Sequence, residues 1–166
     1  MQQHIIRRMV GADIDVVTSV YGEVLDPSYI SFSEIAEGKA QDPFTLSSRV
    51  SIIFREQLAN LVDSAEHGFF VVTVNDEVVG FALASLHKTE GGHTECWLDD
   101  IGVRPSWRGR GLAKALVAQV FNWGDEGQAS YYLLESGVRN ESAHHLFEEL
   151  GFQPLSTVFW RGGGIR

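Results

Sequence analysis

Apolar residues fall into short runs and into periodic stripes, and the two patterns alternate along the chain. The runs FFVVTV at residues 69–74 and VVGFALASL at 78–86, separated by Asn75, Asp76 and Glu77, predict an antiparallel hairpin. A further strand is expected over 94–103, where Pro105 prevents its continuation as a paired central strand. Short strands are also expected over 3–9, over YYLLESG and over 153–160. Val50, Ile53, Phe54, Leu58, Leu61 and Val62 recur at three- and four-residue intervals and predict a helix over 46–66, with Gly68 as its stop. Leu112, Leu116, Val117, Val120 and Phe121 form one face of a helix over 111–125. Ala143, Leu146, Phe147 and Leu150 stripe another, capped by Asn140 and closed by Gly151. A short helix over 13–22 has Asp13 at its cap, whereas residues 22–44 show no sustained period and read as loop with one helical turn. Strands separated by single helices require a parallel pair late in the chain, so the sheet of this α/β fold should be mixed.

Composition narrows the class. At 166 residues, 44% of them hydrophobic and without repeat or linker, the chain reads as one domain. A formal charge of -9 disfavours nucleic acid and favours cationic partners. The lone Cys96 permits no intrachain disulfide, and a cytoplasmic setting is expected. No apolar run reaches the ~20 residues of a membrane span, and MQQHIIRRMVGADID does not read as a secretory or transit signal. The tail RGGGIR is expected to be mobile.

The stretch LDDIGVRPSWRGRGLAKALVAQVF ends a strand, carries Arg104, Arg108, Gly109, Arg110 and Gly111 in a loop, and opens an amphipathic helix. First-turn amides point outward, the helix dipole adds roughly half a positive charge, and glycine lets a phosphate approach the backbone. Arginines add charge and forked donors. GxxxxGK[ST] is absent and the glycines at 109 and 111 lack the third member of GxGxxG, so neither nucleotide loop is present. A bare Gly-Arg-Gly turn with solvated arginines would explain the same residues in isolation. The strand-loop-helix context favours an anion site.

Arg108-Gly109-Arg110-Gly111-Leu112-Ala113 matches [RQ]-x-x-G-x-[GA], and NESAHHLFEELGF is similar to N-x-x-A-x-x-L-[YF]-E-x-L-G-F. Through both motifs and their separation, residues 97–152 resemble the GCN5-related N-acetyltransferase (GNAT) family. The resemblance implies a mixed, mostly antiparallel central sheet of six to seven strands flanked by about four helices, with a splayed parallel strand pair holding the cofactor. It also implies one N-acetyltransferase domain over 1–166, with a cofactor core at about 94–152 and an acceptor-side segment at about 20–66. Acetyl-CoA would be the cosubstrate. Backbone groups of Ile101, Gly102 and Val103 would contact its pantetheine and acetyl carbonyl, and amides from Arg108 to Ala113, Leu112 included, its pyrophosphate. Asn140 and Ala143 would line the cofactor's other side, with Phe147 in the same segment; Asn140 serves equally well as a plain helix cap.

An amine with a pKa near the roughly 10.4 of lysine must lose a proton before it attacks. Glu95, Asp99 and Asp100 are candidate recipients, and strand alternation sets Glu95 and Asp99 on one face and Asp100 on the other unless a bulge intervenes. LDD resembles the L-E-D of polyamine-type family members, which makes Asp99 the first candidate. LLESGVRN resembles the E-V-R-x-x-N of ribosomal-protein N-terminal acetyltransferases, which makes Glu135 the second. Each also has a plain reading as a solvated or ion-paired surface residue.

Phe147 stands where family members often carry a tyrosine acid, leaving solvent, Tyr131, Tyr132, Ser142 or His144 for that role. Adjacent His144 and His145 point about 100° apart and cannot form a helical zinc pair, so no metal site is expected. Cys96 has no evident base and reads as a structural thiol, which favours direct transfer in a ternary complex. Glu23, Asp26, Glu34, Glu37 and Asp42 against Lys39 suggest a small cationic acceptor such as a polyamine, amino sugar or amino acid derivative, or else a solvated acidic loop. Acetylation of a protein N-terminus or lysine, and a non-catalytic acyl-CoA sensor, are the alternatives. An edge strand near the C-terminus is compatible with a homodimer.

Overall fold

The computed structural model describes residues 3–163. Its elements run β1 (His4–Arg8), α1 (Ile14–Val24), α2 (Phe32–Ala36), β2 (Ala40–Asp42), β3 (Thr45–Leu46), α3 (Val50–Leu61) and β4 (His67–Val74). They continue with β5 (Glu77–Lys88), β6 (Thr94–Val103), α4 (Leu112–Glu126), β7 (Tyr131–Leu134) and α5 (Glu141–Glu149). The end of the RGGGIR tail, 164–166, and residues 1 and 2 lie outside the described residues. The chain forms two compact units: residues through Leu25 with Phe54–Leu134, and Asp26–Ile53 with the residues from Glu135 onward.

The first unit is built on a five-stranded sheet in the order β1-β4-β5-β6-β7. All pairings are antiparallel except the last, β6 with β7. The mixed, mostly antiparallel architecture is therefore as expected, with fewer strands than the six to seven anticipated. Asn75 and Asp76, at φ 49° and 65°, form the left-handed two-residue turn that joins β4 to β5. Tyr21 of α1 stacks on Phe54 with ring centroids 3.7 Å apart, and both lie against Phe81 of β5. Burying Phe54 and Phe81 contributes about 1.5–3 kcal/mol each. Helix α4 buries Leu112, Leu116, Val117 and Val120, the predicted stripe, although Phe121 is only half-buried.

Two local expectations are corrected here. Helix α3 ends at Leu61, and Gly68 lies within β4, where a Cβ would come within 2.5 Å of the Trp123 ring. Asp13 stands at the N-cap of α1 but makes no capping bond with its side chain. Its carboxylate instead accepts from Arg7 Nη1 and Nη2 at 2.7 and 2.8 Å and from the Val10 amide at 2.9 Å, which fastens β1 to the entry of α1.

The second unit contains more order than the featureless sequence over 22–44 suggests. Ser31 and Glu34 form a capping box that starts α2, and β2 and β3 make a two-stranded ladder. At the head of α5, Asn140 occupies the N-cap without a side-chain capping bond. Gly151, at φ +90°, supplies the expected left-handed C-terminal cap. The strand anticipated over 153–160 does not form: these residues pair with no strand among those described, and Leu155 and Phe159 are 85% and 94% exposed. Strand propensity requires a partner edge to be realised, and Pro154 removes one of the donors.

Candidate active site

The first unit places the LDDIGVRPSWRGRG segment along an opening in the sheet. Parallel pairing of β7 with β6 covers only Glu95↔Tyr131 through Leu98↔Leu134. Beyond Leu98 the same edge of β6, from Asp99 to Val103, faces no strand among the described residues. Its other edge stays paired to β5 through Leu83↔Asp100, Ala82↔Ile101, Phe81↔Gly102 and Gly80↔Val103. Gly102 is required by packing, since a Cβ there would lie 2.8 Å from Phe81 and 3.1 Å from Val24.

Downstream, Gly109 and Gly111 adopt φ +72° and +77°, a region costly to residues with a Cβ. A Cβ at either would meet nothing within 4 Å, so conformation rather than crowding calls for glycine. Gly111 is the N-cap of α4, so the cap position offers no side chain to the first-turn amides, and no acidic residue occupies the first turn. Leu112 is buried and anchors the helix start, with Ala113 half-buried beside it. Arg108 and Arg110 are exposed; Arg110 lies 4.5 Å over the Trp107 ring, and Arg108 Nε donates to the Val103 carbonyl at 3.4 Å. Arg104 is committed to an ion pair with Glu23 and donates from Nε to the Val78 carbonyl at 3.2 Å. Arg108 and Arg110 are thus the arginines of this loop with charge to offer an anion.

The β5–β6 register shifts at Asp99, because Leu83 faces Asp100 while Ala84 faces Leu98. This bulge reverses the side-chain parity beyond it, so Asp100 need not take the face opposite Glu95 and Asp99. Asp99 is exposed and Asp100 is buried. Asp99 Oδ1 accepts from Ser85 Oγ at 3.0 Å, and Ser85 Oγ lies 2.9 Å from His87 Nε2. Neither Ser85 nor His87 stands out in the sequence reading. Their signal was two polar residues at alternate positions ending an otherwise apolar strand face.

Neighbouring groups on these strands are already occupied. Glu95 accepts from Trp97 Nε1 at 2.9 Å and from the Tyr131 hydroxyl at 3.0 Å, bonds that hold its carboxyl below the ordinary range and raise the Tyr131 phenol. The Tyr132 hydroxyl donates to the Phe121 carbonyl at 2.9 Å and bonds Asp125; burial first, and then Asp125, push its phenol up. Cys96 is fully buried and its thiol is pushed up to about 12 by burial, then by the charges of Asp99 and Asp125.

In the second unit, Glu135 sits at the N-terminus of α2. Its carboxylate accepts from the Phe32 amide at 3.1 Å and from Ser33 Oγ at 2.5 Å. Arg139 donates to the Pro27 and Pro43 carbonyls and lies 4.8 Å over the Phe44 ring. A Cβ on Gly137 would collide with the Ser28 and Ile30 carbonyls. The acidic residues between positions 26 and 42 are locally bonded: Asp26 to the Ser28 amide, Glu34 to Ser31, Glu37 to buried Lys39 and Asp42 to the Phe44 amide. Phe147 is buried edge-on to Phe152, while Asn140, Ala143 and His144 are half-buried and Ser142 is exposed.

A family model described as the acetyltransferase (GNAT) family matches residues 32–152, and the chain belongs to that family. Among curated relatives, N-acetyltransferase 8F1 of Rattus norvegicus is 30% identical over 125 residues, covering 70% of this chain and 57% of its own. Aminoglycoside N(6')-acetyltransferase type 1 of Stenotrophomonas maltophilia is 29% identical over 110 residues, covering 63% of this chain and 72% of its own. The chain spans only 57% and 44% of the lengths of two curated relatives it matches. Among solved structures, AAC(6')-Iy in complex with the bisubstrate analog CoA-S-monomethyl-acetylneamine aligns with a TM-score of 0.70 at 19% identity, covering 98% of this chain and 99% of that one. At that identity the likeness concerns the fold.

Proposed function

We propose that this chain transfers the acetyl group of acetyl-CoA to the primary amine of a small cationic acceptor by direct attack. The observation that carries this reading is the continuous run from Asp99 to Gly111: a strand edge that faces no strand among the described residues, followed by a helix start with left-handed glycines and no capping bond from the N-cap side chain. The open edge offers backbone groups to an amide-bearing arm, and the helix start with Arg108 and Arg110 suits a pyrophosphate. Ile101, Gly102 and Val103, and the residues Arg108 to Ala113, are the assigned cofactor contacts; acetyl-CoA supplies the activated acyl group. For Asn140, Ala143 and Phe147 the same role rests on the family motif alone.

Asp99 is the assigned base, because its carboxylate is exposed at the bulge where the open edge begins, whereas Asp100 is buried. Glu135 is assigned to hold α2. A cationic acceptor is supported by the net charge of -9 and by relatives named aminoglycoside N(6')-acetyltransferases. The acidic residues of 26–42 add little to that argument, because each is already bonded within its own unit. A second copy of the chain is the proposed macromolecular partner, covering exposed Leu155, Val158, Phe159 and Trp160. Sedimentation of wild type and Phe159→Lys should give a dimer and a monomer respectively, and a wild-type monomer at all concentrations rejects the pairing.

The functional test follows release of the coenzyme thiol from acetyl-CoA, with spermidine, neamine, amino acids and short peptides as acceptors. Turnover of spermidine or neamine, reduced about a hundredfold or more in Asp99→Asn, is the expected result. Turnover confined to peptides would replace the acceptor class, and calorimetric cofactor binding without turnover of any acceptor would replace catalysis by sensing.

A further inference from the structure

Strand β5 presents Phe81, Leu83, Ser85 and His87 on one face by strand alternation, so its apolar face ends in two polar residues. Ser85 is only 3% exposed, yet its hydroxyl is spent on no backbone group. It joins Asp99 at 3.0 Å to His87 at 2.9 Å. Both ends of this chain are exposed and the middle is buried. The connection exists because the bulge at Asp99 brings its carboxylate to a serine that is paired in register with Trp97.

We propose that Ser85 and His87 form a proton relay that clears Asp99 after it has accepted the acceptor amine's proton. The inference rests on Asp99 being the base, as assigned above. In the resting chain Ser85 donates to Asp99, so the contact at His87 is made by its Nε2–H form, and proton exchange with water at this exposed ring supplies the Nδ1–H form that can accept. When the ammonium proton reaches Asp99, the carboxylic acid passes it to Ser85 Oγ while the serine hydroxyl proton passes to Nε2 of His87 in its Nδ1–H form. The imidazolium then releases its Nδ1 proton to water and returns to the resting Nε2–H form, so one proton has moved from amine to solvent and Asp99 is again a carboxylate. The groups around the imidazole are Glu95, its partner in register on β6, and His67 on β4, which is the register partner of Ser85 and has Glu66 beside it in sequence. Glu95 is held as a carboxylate by Trp97 and Tyr131 and supplies a negative charge beside the transient cation.

The test measures kcat and KM for spermidine and neamine in wild type, Ser85→Ala, Ser85→Thr and His87→Ala. Ser85→Ala and His87→Ala should lower kcat about tenfold or more while leaving coenzyme affinity unchanged. Ser85→Thr, which keeps the hydroxyl, should recover most of that loss. Imidazole in the buffer should rescue His87→Ala and leave Ser85→Ala unchanged. Wild-type kcat in His87→Ala, or a deficit that imidazole fails to restore, overturns the relay; if Ser85→Ala does not fold, His87→Ala decides the question alone. In that case wild-type turnover and the loss in Asp99→Asn persist, so the relay fails while the proposed function stands. Absence of turnover in the wild type across the whole acceptor panel removes the function and the relay together.

Discussion

Single backbone positions set the chemistry available to the first unit. Gly111 combines φ +77° with the N-cap of α4, so a side chain there is both strained and placed at the helix start. Gly111→Leu should therefore cost about 1–2 kcal/mol of stability and weaken coenzyme A binding about tenfold or more by calorimetry. Unchanged affinity would remove the phosphate-loop assignment. Cys96 argues in the other direction. With its thiol buried and pushed up to about 12, it should resist Ellman's reagent at pH 8 in the native state and react on unfolding. Cys96→Ala should retain wild-type kcat, and a large loss would reinstate a covalent acetyl carrier. The bulge that selects Asp99 over Asp100 was not legible beforehand, because it arises from the register between β5 and β6 rather than from residues local to either.

At the scale of elements, carboxylates act as fasteners. Glu135 holds the first turn of α2 through the Phe32 amide and Ser33 Oγ, so Glu135→Ala should cost about 1 kcal/mol and speed amide exchange at Phe32. Glu135→Gln can keep the Phe32 bond through its carbonyl oxygen and donate from its amide to Ser33 Oγ, and should keep kcat within about threefold of wild type; a loss as deep as that of Asp99→Asn would make it a base instead. Asp13 fastens β1 to α1 in the same way. The Arg7 guanidinium, aided by the Val10 amide, holds its carboxyl below the ordinary range. A depressed carboxyl contributes stability above its unfolded value, about 3.9, and loses it as pH falls through the folded value. Thermal melts of Asp13→Asn should therefore show a deficit of about 1–2 kcal/mol at pH 7 that shrinks as pH falls below about 3.9 and closes only below the folded value, and a constant deficit would rule out the charge as its source. These fasteners also show what the sequence could reveal. Strands β4, β5 and β6 and helix α4 were legible because their apolar patterns are long and locally consistent. Helix α2 has five residues and no stripe, although Ser31-x-x-Glu34 was a readable capping box. The β2–β3 ladder is too short to pattern, and the missing strand over 153–160 had propensity without an edge to pair with.

For the whole molecule, the deciding quantity is charge. Lys and Arg number 13 against 22 Asp and Glu, giving -9, while Arg108 and Arg110 stand exposed at the helix start proposed to hold the pyrophosphate. Under the proposed function, long-range field and local patch act on different substrates: the field would draw a cationic acceptor, and the patch would hold a polyanionic coenzyme against it. Salt separates the two, because the screening length falls from about 30 Å at 0.01 M to about 8 Å at 0.15 M. At saturating acetyl-CoA, kcat/KM for spermidine should fall about threefold or more across that range, while a zwitterionic amino acid acceptor should change far less. Equal salt dependence for both would place recognition in short-range contacts at Asp99 rather than in the field. A rise with salt for spermidine would mean that the acceptor meets a locally positive surface, and the cationic acceptor would have to be given up.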